Sequence, residues 1–268
     1  MTNEEQKEFW NGPAGDVWVD AQEIMDRMLS PLSDAALSAA TPLSGERVID
    51  IGCGCGATTL VIAESGASVW GVDISAPMVA RARARTAELD NVTFSVNDAS
   101  TADYNAEHHL IFSRFGVMFF DDPKAAFSNL RSALVGGGRL AFVCWQPPEK
   151  NPFMSVAGRA AQPFLPESEP QDPCAPGPFA FADPHWIKEV LDNAGFSDVN
   201  ITSLNPHLAV GKTLDESMYF QARVGPLARA LSELDESLQA EAKQAVRDAL
   251  SGYETDDGVI LPAAAWLV

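Results

Sequence analysis

A chain of 268 residues with 46% hydrophobic side chains is long enough for one large α/β domain and too apolar for a disordered one. Its formal charge of −19 repels nucleic-acid phosphates and anionic membranes, so neither is an expected partner; the acidity is first a solvated surface and second a field for a cationic substrate. Cys53, Cys55, Cys144 and Cys174 are too few for a disulfide framework, and Cys53 and Cys55 lack a second pair to complete a zinc site, so no metal is expected. The polar start MTNEEQKEFW and the lack of an apolar run near the ~20 residues of a membrane span predict a soluble, cytoplasmic protein.

In chain order, Val17, Ile24, Met25, Met28 and Leu29 recur at helical spacing, and Pro31 is expected to end that helix before a second short one over 33–40. From residue 46 the pattern becomes strand, loop, helix, repeated. Strands are predicted at 47–51, 67–72, 92–96, 109–113 and 139–145, and helices at 57–65, 77–89 and 123–134. This alternation implies a doubly wound α/β fold, a parallel sheet with helices on both faces. Ten prolines between 147 and 184 then forbid long regular elements. With Phe153, Met154, Phe164, Phe179 and Phe181 among them, the segment reads as a lid or substrate wall and not a free linker. A helix over 186–193 capped by Gly195 follows, then a strand at 199–204. Helices are expected over 213–232, broken at Pro226, and 236–250, with one closing strand over 258–268. The division is a helical cover (1–45), a ligand-binding core (46–145), a lid insertion (146–184) and a C-terminal part of the core with a helical substrate cover (185–268).

Val48-Ile49-Asp50-Ile51-Gly52-Cys53-Gly54-Cys55-Gly56 is an apolar strand ending in a glycine loop. Such a loop sits where open α/β sheets bind ligands and lets backbone N–H groups approach them. The spacing is GxGxG, whereas a dinucleotide site uses GxGxxG around a pyrophosphate. Asp50 would repel that phosphate and suits a ligand with an ammonium and a sulfonium group. Asp73 closes the second strand, 21 residues after Gly52, where an acid accepts from ribose hydroxyls. Asp98, after the third strand, is a candidate for an adenine amino group, or a helix cap.

With these residues the segment 46–145 resembles a class I S-adenosylmethionine-dependent methyltransferase. VIDIGCGCG, GVDIS, NDA, FSRFGVMFF and GGGRLAFVCW carry the likeness, and LPAAAWLV at 261–268 looks like the family's closing strand. The bacterial small-molecule group related to the ubiquinone and menaquinone biosynthesis methyltransferases is most similar. The resemblance implies a Rossmann-like seven-stranded sheet with its last strand antiparallel, and S-adenosylmethionine as cofactor, with S-adenosylhomocysteine as product. By position it implies Gly52, Cys53 and Gly54 at the methionine end, Asp73 and Ile74 at the ribose, and Asp98 and Ala99 at the adenine. Ser113 and Arg114 would lie near the transferable methyl, and Met78 by the adenosine face unless it is a plain core residue. It also implies an N-terminal helix closing over the cofactor.

Trp10 and Trp18 belong to the N-terminal aromatic cluster and either face a sulfonium or pack the cover onto the sheet. Arg114 needs an anionic partner: the cofactor carboxylate, a substrate carboxylate, Asp50, Asp98 or a structural ion pair. Methyl transfer needs alignment and exclusion of water, and a base only when the nucleophile keeps its proton. Among the histidines, His108 and His109 lie at the wrong end of the sheet. His185 is the candidate base, alongside the expectation that no histidine is essential. Tyr219 is a further possible substrate contact. The expected acceptor is a small, partly apolar molecule reacting at O, N, S or C. A cofactor-binding protein without turnover and a nicotinamide-dependent oxidoreductase are the alternatives.

Overall fold

The computed structural model describes residues 2–166, 172–224, 226–232 and 234–268. The expected insertion therefore has five residues, 167–171, outside the described ones. Three helices lead the chain: α1 (Asn3–Asn11), α2 (Pro13–Asp20) and α3 (Gln22–Ala40). A capping box starts α1, with Glu5 N–H donating to Thr2 Oγ1 and Thr2 N–H to Glu5 Oε2. Contrary to the sequence expectation, α3 runs straight through Pro31. The proline leaves the Arg27 carbonyl without its helical N–H, and the Ser30 hydroxyl donates to that carbonyl instead, at 3.0 Å. Burial of Met28, Leu29, Leu32, Ala36 and Leu37 on one face holds the helix together across the gap.

The core follows as β1 (Arg47–Ile51), α4 (Ala57–Glu64), β2 (Ser68–Asp73), α5 (Ala76–Arg85), β3 (Val92–Val96), β4 (His108–Arg114), α6 (Pro123–Ser132) and β5 (Leu134–Trp145). Strands β1 and β4 are buried on both faces, which is why they read as unbroken apolar runs. Next come α7 (Pro152–Ala161), α8 (Pro184–Asn193), β6 (Thr202–Leu204), β7 (His207–Gly211), α9 (Leu214–Gln221), α10 (Pro226–Ser232) and α11 (Glu236–Ser251). The chain closes with β8 (Glu254–Thr255), β9 (Gly258–Pro262) and β10 (Ala265–Leu267). Gly195 ends α8 at φ 83°, as expected.

The main sheet has seven strands in the order β3-β2-β1-β4-β5-β10-β6, with β10 antiparallel to both neighbours. Two expectations need correction here. The proline-rich stretch does build a regular helix, α7, because Pro152 sits in its first turn, where a missing N–H costs nothing. The single closing strand is two strands. Residues of β9 pair with β7 and β8 in a separate three-stranded sheet, and the chain crosses to the main sheet only at Ala263–Ala264. Buried Asn151 fixes that crossing: its Nδ2 donates to the carbonyls of Gln146 (2.9 Å) and Ala264 (3.0 Å), and its Oδ1 accepts from Ala264 N–H (2.9 Å). The small sheet and α7, α9, α10 and α11 thereby form a roof beside α1–α3. Among the described residues no helix is long and apolar enough to cross a membrane.

Candidate active site

Between the carboxyl ends of the main-sheet strands and this roof lies a cavity of about 790 Å³. That is within the usual range of small-molecule sites and toward its upper end. Its floor is the glycine loop. Gly52 and Gly54 hold φ at 63° and 53°, and a Cβ on Gly52 would fall 2.6 Å from Gly116 Cα, so no side chain fits there. Gly52 N–H donates to Val72 O at 2.8 Å and Gly54 N–H to Asp73 Oδ2 at 2.8 Å, which locks the loop to the end of β2.

Asp73 lines the cavity. Its second oxygen accepts from Ser75 N–H at 2.8 Å, at the start of α5. Burial pushes its carboxyl up, against the pull of these N–H donors. Each oxygen retains a lone pair for a ligand hydroxyl. Asp98 also lines the cavity and caps a turn, accepting from Ser100 N–H (2.8 Å) and Ser100 Oγ (2.6 Å) on Oδ1 and from Asn3 Nδ2 (2.8 Å) on Oδ2. Ile74, Met78, Ala99, Cys53, Trp10 and Trp18 line it as well. The Trp10 ring meets Trp18 and Phe119 edge-on, with centroids 5.5 and 5.7 Å away. The cover is tied to the sheet by Asn11, whose Nδ2 donates to Ile74 O and whose Oδ1 accepts from Ala76 N–H.

Arg114, the last residue of β4, reaches the cavity and donates from Nη1 to Ser33 Oγ at 2.9 Å. Among the described residues no carboxylate lies within ion-pair distance of it. Asp26 and Asp50 act on it only through their fields, and burial lowers its pKa. A guanidinium placed this way has donors left for an anionic ligand group. Beside it Asp26 accepts from Arg85 Nη2 (2.8 Å) and Gln22 Nε2 (2.5 Å). Burial pushes Cys53 well up and Cys55 to about 11, so neither thiol is a nucleophile at neutral pH.

Three expected site residues lie elsewhere. Asp50 does not line the cavity. It is fully buried beneath the loop, where its Oδ2 accepts from Thr58 Oγ1 (2.8 Å) and Thr59 Oγ1 (2.6 Å) and staples β1 to the first turn of α4. Ser113 is also fully buried and does not line the cavity, its hydroxyl proton donated to Ile51 O (2.8 Å) and one lone pair accepting from Gly116 N–H (3.2 Å). His185 is exposed at the first turn of α8, capped by Asp183 and away from the cavity, which removes it as a base. Tyr219 is likewise exposed and not a lining residue.

On the opposite wall Phe153 falls in the segment read from sequence as a lid or substrate wall, whereas Phe115 and Trp145 were not expected at the site. Phe115 lies parallel on Trp145, centroids 3.9 Å apart and planes 10° apart, and Trp145 tilts against Phe153 at 4.8 Å. Phe115 holds φ at 65°, a left-handed conformation that costs an L-residue about 1–2 kcal/mol. The stack contributes only ~0.5–1.5 kcal/mol beyond burial, so it merely offsets that strain. Asp26 had a usable signal: with Gln22, Met25 and Leu29 it falls at i, i+3, i+4, i+7, a carboxylate on the buried side of an amphipathic helix. Phe115 and Trp145 had none, because the wall's three members come from three separate segments and meet only in the fold.

Residues 48–138 match a family model described as a methyltransferase domain. A 143-residue stretch is 33% identical to aklanonic acid methyltransferase DauC of Streptomyces sp. (strain C5), spanning 48% of this chain and 65% of that protein. Another of 134 residues is 29% identical to demethylmenaquinone methyltransferase of Tropheryma whipplei, spanning 49% of this chain and 56% of that one. The chain thus spans just over half to just under two thirds of these curated relatives. Among solved structures, the YcgJ protein of Bacillus subtilis aligns with a TM-score of 0.58 at 18% identity, over 88% of this chain and 95% of that chain. Geranyl diphosphate C-methyltransferase of Streptomyces coelicolor, in complex with Mg²⁺, geranyl diphosphate and S-adenosylhomocysteine, aligns at 0.52 and 16% identity, over 90% and 79%. Low-identity likeness of this kind speaks to the fold, and the domain match speaks to the segment that carries the glycine loop. The chain therefore has the class I S-adenosylmethionine-dependent methyltransferase fold, and its residues 48–138 match a methyltransferase-domain model.

Proposed function

We propose that the protein is a methyltransferase that uses S-adenosylmethionine to methylate a small molecule at O, N, S or C. The observation that carries this reading is the charge around the glycine loop. Asp26, Asp73 and Asp98 line the cavity against one guanidinium, Arg114, and Asp50 lies buried beneath the loop with an oxygen, Oδ1, that has no partner. That set suits a ligand bearing an ammonium and a sulfonium and is hostile to a pyrophosphate. The residues fit the cofactor in parts. Asp73 would accept from both ribose hydroxyls, and Asp98, Ala99 and Met78 would enclose the adenine. Asp26 would face the ammonium, and Arg114 would take the carboxylate. When bound, S-adenosylmethionine supplies a methyl group on a cationic sulfur, open to in-line displacement by an acceptor atom. Trp10 and Trp18 would cover that charge and exclude water. The net charge of −19 favours a small molecule over a nucleic acid as acceptor.

Calorimetry tests the reading directly. S-adenosylmethionine and S-adenosylhomocysteine are expected to bind and NAD to bind little; equal or preferred NAD binding overturns it. Arg114→Met provides a finer check. Loss of one charge-assisted contact to the cofactor carboxylate should cost about 1.5–3 kcal/mol, roughly ten- to a hundred-fold in Kd for S-adenosylhomocysteine. Binding of 5′-methylthioadenosine, which lacks the amino-acid moiety, should not change. A parallel loss for both ligands would mean that Arg114 acts through the loop's shape.

A further inference from the structure

Among the described residues three besides glycine hold a positive φ: Thr41, Phe115 and Asp198. Thr41 closes α3 and Asp198 lies in the turn before β6, neither lining the cavity. Phe115 is the one of the three that does line it. Glycine would occupy its position without strain, yet the neighbouring glycine is 116, where a Cβ would meet Ile51 O at 2.6 Å and Gly52 Cα at 2.8 Å. The backbone at 115 is held by its N–H donating to Val143 O at 3.0 Å, which aims the chain into the left-handed turn whatever residue stands there. The stack of Phe115 on Trp145 offsets the strain, and what is left to favour phenylalanine there is the partial burial of its ring. Strained positions persist where the surroundings enforce them, and they cluster at binding sites.

The surroundings of that ring are consistent with a ligand face. Phe115, Trp145 and Phe153 continue into Phe179, Phe220 and Met154, all lining the cavity. Among the described residues no histidine, lysine or tyrosine lines it, and the charged groups that do are those assigned to the methyl donor. The uncharged polar groups on the roof side are Gln162 and Gln221, and the Gln221 amide already donates to Phe153 O at 3.2 Å. We propose that Phe115 is a specificity-determining residue, its strained backbone presenting an aromatic platform with Trp145 and Phe153 that receives the flat face of a neutral, conjugated acceptor ring. This rests on the methyl-donor reading of the other half of the cavity. A flat ring gains from stacking what a puckered ring of the same carbon frame does not, and a charged ring loses hydration here without a free counter-ion.

The test uses the full chain, saturated with S-adenosylhomocysteine, and calorimetric titration with three probes: 1-naphthol, decahydro-1-naphthol and 1-naphthoate. The expected order is 1-naphthol tightest, by roughly three- to tenfold over the saturated analogue. Phe115→Gly should erase that preference while leaving S-adenosylhomocysteine affinity close to that of the unaltered chain, with some loss of unfolding temperature from the missing ring. Phe115→Leu keeps the apolar bulk without a π face, and should retain decahydro-1-naphthol binding and lose the preference for 1-naphthol. Equal binding of the flat and saturated probes, tightest binding of 1-naphthoate, or a preference that survives both substitutions overturns the platform. Absence of S-adenosylhomocysteine binding to the unaltered chain overturns the donor site instead, and the same three titrations on the unloaded protein then decide the platform separately.

Discussion

Asp73→Ala is expected to weaken S-adenosylhomocysteine binding by on the order of 2–4 kcal/mol, roughly thirty- to a thousand-fold in Kd. The size follows from what the carboxylate does at once. Its two oxygens hold Gly54 N–H and Ser75 N–H, and their remaining lone pairs would face the ribose hydroxyls. Removing it deletes two charge-assisted bonds to the ligand and also frees the loop that the ligand rests on. Relief of the buried charge works in the other direction, because burial already raises the Asp73 pKa, so the net loss stays below the sum of two full bonds. Asp73→Asn keeps the shape and one acceptor oxygen and should fall between the two. Calorimetry on variants with a cooperative thermal transition decides it, and unchanged affinity in a folded Asp73→Ala protein would refute the ribose assignment.

Asp50 governs the second large effect, on stability and not on binding. Burial raises its pKa from 3.8 to about 6, with the Thr59 and Thr58 hydroxyls and the field of Arg114 opposing. The unfolded chain gives up this proton near pH 4, whereas the folded chain keeps it to about pH 6. Between those values the folded state binds more protons, so its stability falls as pH rises, and the cost is complete above pH 6. A shift of this size corresponds to about 3 kcal/mol. Asp50→Asn carries no such charge. About 1 kcal/mol of that cost is already present at pH 4.5, so the difference in unfolding free energy between variant and parent should move by about 2 kcal/mol in the variant's favour from pH 4.5 to 7.5. Denaturant titrations at both pH values measure it; a difference independent of pH would show that Asp50 titrates normally.

The contrast between these two acids explains how far the sequence could be read. Both end apolar strand segments beside the glycine loop, and both were expected at the ligand. Asp73 is the last residue of its strand, where the chain opens onto the cavity, while Asp50 is one residue short of its strand's end and is sealed under α4 by Thr58 and Thr59. Strand alternation gives a face and says nothing of what covers it. Ser113 failed for the same reason. The glycine loop and the alternating core were legible because local spacing encodes them, and Asp98, Trp10 and Trp18 line the cavity. The continuation of α3 through Pro31 was not, since tertiary burial outweighed a lost hydrogen bond there. Nor was the small sheet, whose strands β7 and β9 pair across the 46 residues of chain from Lys212 to Asp257. The wall of Phe115, Trp145 and Phe153 exists only once the roof is folded.

The placement of β10 has a consequence for how the protein comes into being. This strand, made after every other strand of the main sheet, is inserted between β5 and β6. Until residues 265–267 leave the ribosome, β5 presents an open edge and β6 has no neighbour in the sheet. Those are unpaired backbone groups of the kind that recruit other chains. Asn151 waits in the same condition, since two of its hydrogen bonds go to Ala264. Synthesis therefore completes the donor half of the cavity long before the roof is anchored, and the nascent chain passes through a stage with a finished glycine loop and an unguarded sheet edge. While that edge stays open, the topology is exposed to pairing with other chains.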